Sequence, residues 1–227
     1  MFFFYDPTFL LLIPAIILAI YAQAKVKGTY AKLSKVRSGK GLSGAEVGKR
    51  LLNENGLGSI PIEEIRGDLT DHYDSKAKVL RLSSGVYQSS SVAAMGIVAH
   101  EVGHAIQDSQ AYVPLGIRNN LVPVANFGST LAFPLFFLGF LFATPLLMDI
   151  GIIAFSLAVA FQVITLPVEF NASNRALKIL SDGGYVTQEE QAMAKKVLSA
   201  AALTYVAATA MAVLNLLRLI ILRGSRD

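Results

Sequence analysis

The hydrophobic pattern divides the chain into long uncharged runs and one mixed stretch. Residues 7–24, "PTFLLLIPAIILAIYAQA", carry no charge and lie between Asp6 and Lys25, close to the ~20 apolar residues that cross a bilayer core. They predict a first transmembrane helix. From 41 to 118 the pattern turns globular. "GLSGAEVGKRLLNENGLG" reads as a helix opened near Ser43 and stopped at Asn55-Gly56. "SIPIEEIRGDL" and "DSKAKVLRLSSGVY" read as short strands separated by turn-forming Gly and Asp. Ser89, Ser90 and Ser91 then offer a hydroxyl cap to a helix running through "VAAMGIVAHEVGHAIQ".

No charged residue stands between Arg118 and Asp149, or between Asp149 and Glu169. The two runs together are too long for one span. Pro145, Asp149 and Gly151 in "ATPLLMDIG" offer a turn, so 119–168 read as a transmembrane helical hairpin that returns the chain to its starting side. Residues 169–196 are polar again, with a helix through "NASNRALKIL", a break at "SDGGY" and a further helix capped by Thr187. The last apolar run, 197–217, is long enough to span. A helix lying on the surface or packed on the domain is its alternative, because a crossing leaves Arg218, Arg223 and Arg226 outside. The predicted architecture is an α-helical multi-pass membrane protein with a small α+β domain. Its parts are a transmembrane helix (1–26), a mixed part with the histidine helix (27–118), the hairpin (119–168), a polar helical part (169–196), and an apolar helix with a basic tail (197–227).

Composition sharpens this picture. Of 227 residues, 53% are hydrophobic, too apolar for an ordinary soluble domain. The chain has no cysteine, so any transition metal must be held by imidazole and carboxylate. The net charge of +4 matters through its placement. Lys25, Lys27, Lys32, Lys35, Arg37, Lys40, Lys49 and Arg50 come after the first span, whereas residues 1–7 carry neither Lys nor Arg. By the positive-inside tendency the N-terminus lies outside and residue 25 onward in the cytoplasm, where the same run suits anionic lipid. No basic stripe interleaves with aromatics, so no nucleic-acid partner is indicated. "MFFFYDPTFL" lacks a basic leader and no A-x-A-like site lies beyond it, so the first segment is expected to stay attached.

Two of the three histidines fall in His100-Glu101-Val102-Gly103-His104, an H-E-x-x-H pattern. On a helix, positions 100 and 104 share one face about a turn apart, so both imidazoles can reach one zinc ion. Glu101, a step round the helix, can serve as general base toward a water acidified by the metal. The bland alternative is a metal-free cluster on a membrane-surface helix. The metzincin extension is absent, since Gln107 and Gln110 stand where a glycine and a third histidine belong. A third ligand is therefore sought among the carboxylates Asp108, Asp149, Glu169, Asp182, Glu189 and Glu190. Asp108 is too close along the same helix, and Asp149 sits at the far tip of the hairpin. Hairpin topology favours Glu169, whose plain alternative is a glutamate at a helix N-terminus. His72, Tyr87 and Tyr112 are candidate donors to the oxyanion of a tetrahedral intermediate.

"AHEVGHAIQ" followed by "VEFNASNRAL", with "LTDHYDSKAKVLRLSSGVY" ahead of them, resembles the YugP-type zinc metallopeptidases of bacterial membranes over almost the whole chain. More distantly it is similar to the HtpX and CAAX-prenyl membrane gluzincins. The resemblance implies a zincin-like (gluzincin) domain and a plasma-membrane zinc endopeptidase with one Zn²⁺ per chain. It puts the ligands at His100, His104 and Glu169 and the base at Glu101, facing the cytoplasm, with peptide or protein substrates reached at the bilayer. It puts His72 just ahead of a strand whose edge would pair with an extended substrate. The departure is Ser173, where the distant relatives have an aspartate supporting a zinc histidine; Asn171 or Asn174 can share that task. The rivals are a zinc-stabilised scaffold or regulatory binding protein without protease activity, and a small transport component. The transport reading lacks the intramembrane charges such a pathway uses.

Overall fold

The structure, a computed structural model, describes residues 7–225. Asp6, the outer boundary of the first span, and Arg226 of the basic tail lie outside them. A 3₁₀ turn, Pro7–Leu12, leads into α1 (Ile13–Leu33). Then come α2 (Gly44–Glu54), β1 (Ile62–Ile65), β2 (His72–Asp74), β3 (Val79–Ser83), α3 (Ser84–Tyr87) and α4 (Val92–Ser109). Three long helices complete the chain: α5 (Val113–Leu141), α6 (Pro145–Asp182) and α7 (Gln188–Gly224).

The chain forms two compact units. One comprises the N-terminal segment to residue 23, residues 116–167 and the segment from 203 onward; the other comprises 24–115 and 168–202. In the first, Ala132, Phe136, Met148, Phe155, Val159 and Leu219 form a small apolar core. Large apolar side chains such as Phe127, Phe142, Leu146 and Ile153 stay exposed, the reverse of a water-facing surface. Among the described residues, four helices are long and apolar enough to cross a membrane: Pro7–Leu33, Val113–Leu141, Pro145–Asp182 and Gln188–Gly224.

The hairpin turn falls earlier than the pattern predicts. Residues 142–144 make it, with Ala143 at φ 50°, and Pro145 opens α6, where its missing N–H and fixed φ do no harm. Asp149 and Gly151 lie inside α6. Gly151 is a packing residue, because a Cβ there would stand 2.8 Å from the Ala132 carbonyl oxygen of α5. Asp149 accepts a 2.8 Å bond from Arg223 Nε near the end of α7, which neutralises an arginine that charge bias alone leaves unexplained. Nor does a new helix begin near Glu169, since α6 runs unbroken through it.

The second unit is built on an interior of Val47, Leu51 and Leu52 from α2, Leu80 and Leu82 from β3, and Met95, Val98 and Val102 from α4. Ser43 and Glu46 form a reciprocal capping box that starts α2, and Asn55 ends it. The sheet has order β1-β3-β2, with β1 parallel and β2 antiparallel to β3. β2 pairs His72 with Arg81, Tyr73 with Leu80 and Asp74 with Val79. The pattern extends the second strand through "SSGVY", but Ser84–Tyr87 form a helical turn instead.

Candidate metal centre

Helix α4 carries the histidine motif. Ser91 caps it by accepting a 3.2 Å bond from the Ala94 amide, one of the orphan donors at any helix start. His100 and His104 lie one turn apart, edge to face, with ring centroids 4.7 Å apart. Gly103 lets α6 come close, because a Cβ there would stand 2.7 Å from the Ala172 carbonyl oxygen. Ala172 lies three residues beyond Glu169, on nearly the same face of α6. The crossing therefore presents the Glu169 carboxylate to both histidines.

His100 Nε2 lies 3.2 Å from Glu169 Oε2, and His104 Nε2 lies 3.7 Å from Glu169 Oε1. One ligand atom from each residue falls within 4.8 Å of the others. A tetrahedral zinc ion with bonds of about 2.0–2.1 Å sets its ligand atoms about 3.3–3.4 Å apart. The two distances from Glu169 bracket that value, and two imidazoles with one carboxylate leave a fourth position free. Glu169 is 2% exposed, and a buried carboxylate needs a compensating positive charge. The residues present fit a divalent ion of this kind.

Glu101 points into the same region. It is 8% exposed, and its Oε2 accepts a 2.9 Å bond from the Tyr73 amide of β2. Burial pushes its carboxyl above the usual range, against the pull of His100 and His104. A raised carboxyl suits proton exchange near neutrality. Burial draws the His104 imidazole down, but its bond to Glu169 and the charges of Glu101 and Glu169 outweigh that and leave it raised. Strand β2 is tied to the far end of α4, where the Tyr73 hydroxyl donates 2.7 Å to Asp108 Oδ2 and Lys78 pairs with the same oxygen.

Each imidazole has a neutral partner on its outer nitrogen. Ser173 Oγ lies 3.2 Å from His100 Nδ1, and Gln107 Oε1 lies 2.9 Å from His104 Nδ1. Asn171 bonds Gln107, while Asn174 is exposed. The cluster takes in none of the other downstream acids: Asp108 holds β2, Asp149 pairs with Arg223, and Glu190 bonds the Gly39 and Thr187 amides. His72 is exposed at the start of β2 with Nδ1 2.8 Å from the Thr70 carbonyl, beside Tyr73 but outside the cluster. Tyr87 packs against the core, and Tyr112 lies in the turn between α4 and α5. Sequence reasoning missed Tyr73 and Gln107. Gln107 had a usable signal: an amide one turn past His104, on the helix face that carries both histidines.

A histidine pair one turn apart, an acid beside the first, and a second buried carboxylate on a crossing helix bring together a His₂Glu set that could hold a metal ion. Residues 8–224 match the family described as "Putative neutral zinc metallopeptidase", and the chain belongs to that family. "Putative membrane protease YugP" of Bacillus subtilis (strain 168) is 48% identical over 212 residues, covering 93% of this chain and 94% of that protein. No solved structure matches the chain.

Proposed function

We propose that the protein is an integral-membrane zinc endopeptidase of gluzincin type that works at the cytoplasmic face of a bacterial plasma membrane. The observation that carries this reading is the convergence of His100, His104 and Glu169 within 4.8 Å beside the buried Glu101. His100 and His104 would hold the ion through Nε2 and Glu169 through its carboxylate. A zinc ion bound there supplies Lewis acidity toward a peptide carbonyl and acidifies water. Glu101 takes a proton from the attacking water and delivers it to the leaving amine nitrogen. The Tyr73 amide bond fixes Glu101 Oε2, so the base does not swing between the two transfers. His72, next to Tyr73 on β2, is the donor assigned to the oxyanion.

The membrane orientation rests on charge and pairing. The basic residues from Lys25 to Arg50 favour a cytoplasmic location for the chain beyond α1. Two crossings by α5 and α6 then bring Glu169 back to the side of His100. The Asp149–Arg223 pair supports α7 as a fourth crossing, ending on the side of the α5–α6 turn. The substrate class is a peptide or protein, including membrane proteins, reached at the bilayer surface.

The test compares wild type and Glu101→Gln, purified in detergent at equal zinc content, on unfolded casein. The expected result is cleavage by wild type, a drop of about 10²–10⁴-fold in the variant, and loss on chelation. No cleavage by either zinc-loaded protein would instead support a zinc-stabilised scaffold, and equal cleavage by both would overturn Glu101 as the base.

A further inference from the structure

Gln107 is fully buried, at 0% exposure, on α4. A buried amide is costly unless its donors and acceptors are used. Here they are: Nε2 donates 2.9 Å to the Val168 carbonyl and 2.9 Å to Asn171 Oδ1, and Oε1 meets His104 Nδ1 at 2.9 Å. Asn171 Oδ1 also accepts a 2.7 Å bond from Arg175 Nε, and Arg175 Nη1 donates 2.7 Å to Gln110 Oε1.

These bonds fix one another's direction. A guanidinium only donates, so the Asn171 atom facing Arg175 is its oxygen. That oxygen and the Val168 carbonyl only accept, so the Gln107 atom facing them is its nitrogen. Gln107 therefore turns its oxygen to His104, and His104 Nδ1 carries the proton. The free lone pair of His104 is then on Nε2, the nitrogen 3.7 Å from Glu169 Oε1. One tautomer and one ring orientation satisfy the whole relay.

We infer that Gln107 is a positioning residue for the metal: locked by Asn171 and Arg175, it presents His104 Nε2 to the ion through a partner with no charge. The inference rests on the zinc reading proposed for this site and adds its outer support. Glu169 and Glu101 are left as the acids at the centre. A partner on a ligand histidine is typically worth about 10–100-fold in metal affinity.

The experiment measures zinc affinity of the full chain in detergent by competition with a chelating dye. Gln107→Met keeps volume and removes all three bonds, and is expected to bind zinc about 10–100-fold more weakly. Arg175→Met touches no ligand but frees Asn171 to turn its amide; a several-fold loss there marks the relay, and this variant carries the test if Gln107→Met fails to fold. With only three histidines, ¹⁵N-histidine labelling adds a second readout: a protected Nδ1–H resonance in zinc-loaded wild type, lost or in fast exchange in the variants. Zinc affinities within twofold of wild type in both variants would overturn the inference and leave the zinc reading standing. A wild type that binds no zinc would overturn both.

Discussion

Gly103→Ala isolates the helix crossing that assembles the site. The added Cβ would stand 2.7 Å from the Ala172 carbonyl oxygen and 3.3 Å from its carbonyl carbon and Cα. Ordinary carbon contacts begin near ~3.5 Å, and the obstacle is backbone, which has no rotamer to yield. Relief needs α4 and α6 to part by roughly 0.8 Å if a contact of ~3.5 Å is to be restored. Overpacking of this kind costs about 1–3 kcal/mol, offset by about 1 kcal/mol from alanine's better helix propensity. The fold is therefore expected to survive with a deficit of about 0–2 kcal/mol. The proposed metal site is less tolerant, since coordination accepts only about ±0.2 Å in ligand distance, and the His100–Glu169 and His104–Glu169 separations of 3.2 and 3.7 Å would both widen. The assay is zinc content and affinity beside thermal unfolding of the purified variant. Native helicity with zinc binding lost or weakened at least tenfold is expected. Full zinc at wild-type affinity would refute the claim that this contact sets the ligand geometry.

Ser43→Ala removes the reciprocal cap at the start of α2 and is expected to cost about 0.5–2 kcal/mol, read as a lower denaturation midpoint with zinc affinity unchanged. Tyr185 is 5% exposed and donates to Glu54, and burial together with that bond pushes its hydroxyl up to about 12. Because the folded value lies above the usual ~10, the stabilisation is complete below pH ~10 and is lost as pH rises toward 12. Tyr185→Phe should flatten that part of the stability–pH profile, and an unchanged alkaline limb would contradict the assignment. A reporter enzyme fused just after Asp182 should behave as cytoplasmic; a periplasmic signal would break the link between hairpin topology and the third ligand.

The parts of this fold that were legible in advance are those where one local rule acts alone. Ser43 and Ser91 start helices because a hydroxyl acceptor meets orphan amides, and the apolar runs form helices long enough to cross a membrane. What misled was residues with two physical uses. Gly151 suits a turn, but it equally suits a helix that must touch its neighbour, and only the facing Ala132 decides which. Pro145 ends one helix reading and begins another. Strand β2 has three residues, too few for an alternation to show, yet it supplies the amide that holds Glu101. The meeting of His100, His104 and Glu169 within 4.8 Å was legible because H-E-x-x-H spacing is a sequence property and Glu169 is the acid that follows the second apolar run. Gln107 was overlooked because its importance lies in partners on α6, 61 and 64 positions away.

The separation of 69 residues between His100 and Glu169 sets an order of events during synthesis. At about 5–20 residues per second, the third ligand leaves the ribosome roughly 3–14 s after the first. Between them lie the rest of α4 and the α5–α6 pair, which on the reading proposed here crosses and recrosses the bilayer before α6 can lie against α4. In the function proposed here, a nascent chain carries both histidines and the base but no closed metal cage until that insertion is complete. A mistargeted copy would be left with two ligands, weak metal retention and no peptidase activity, so delivery to the membrane doubles as the activation step.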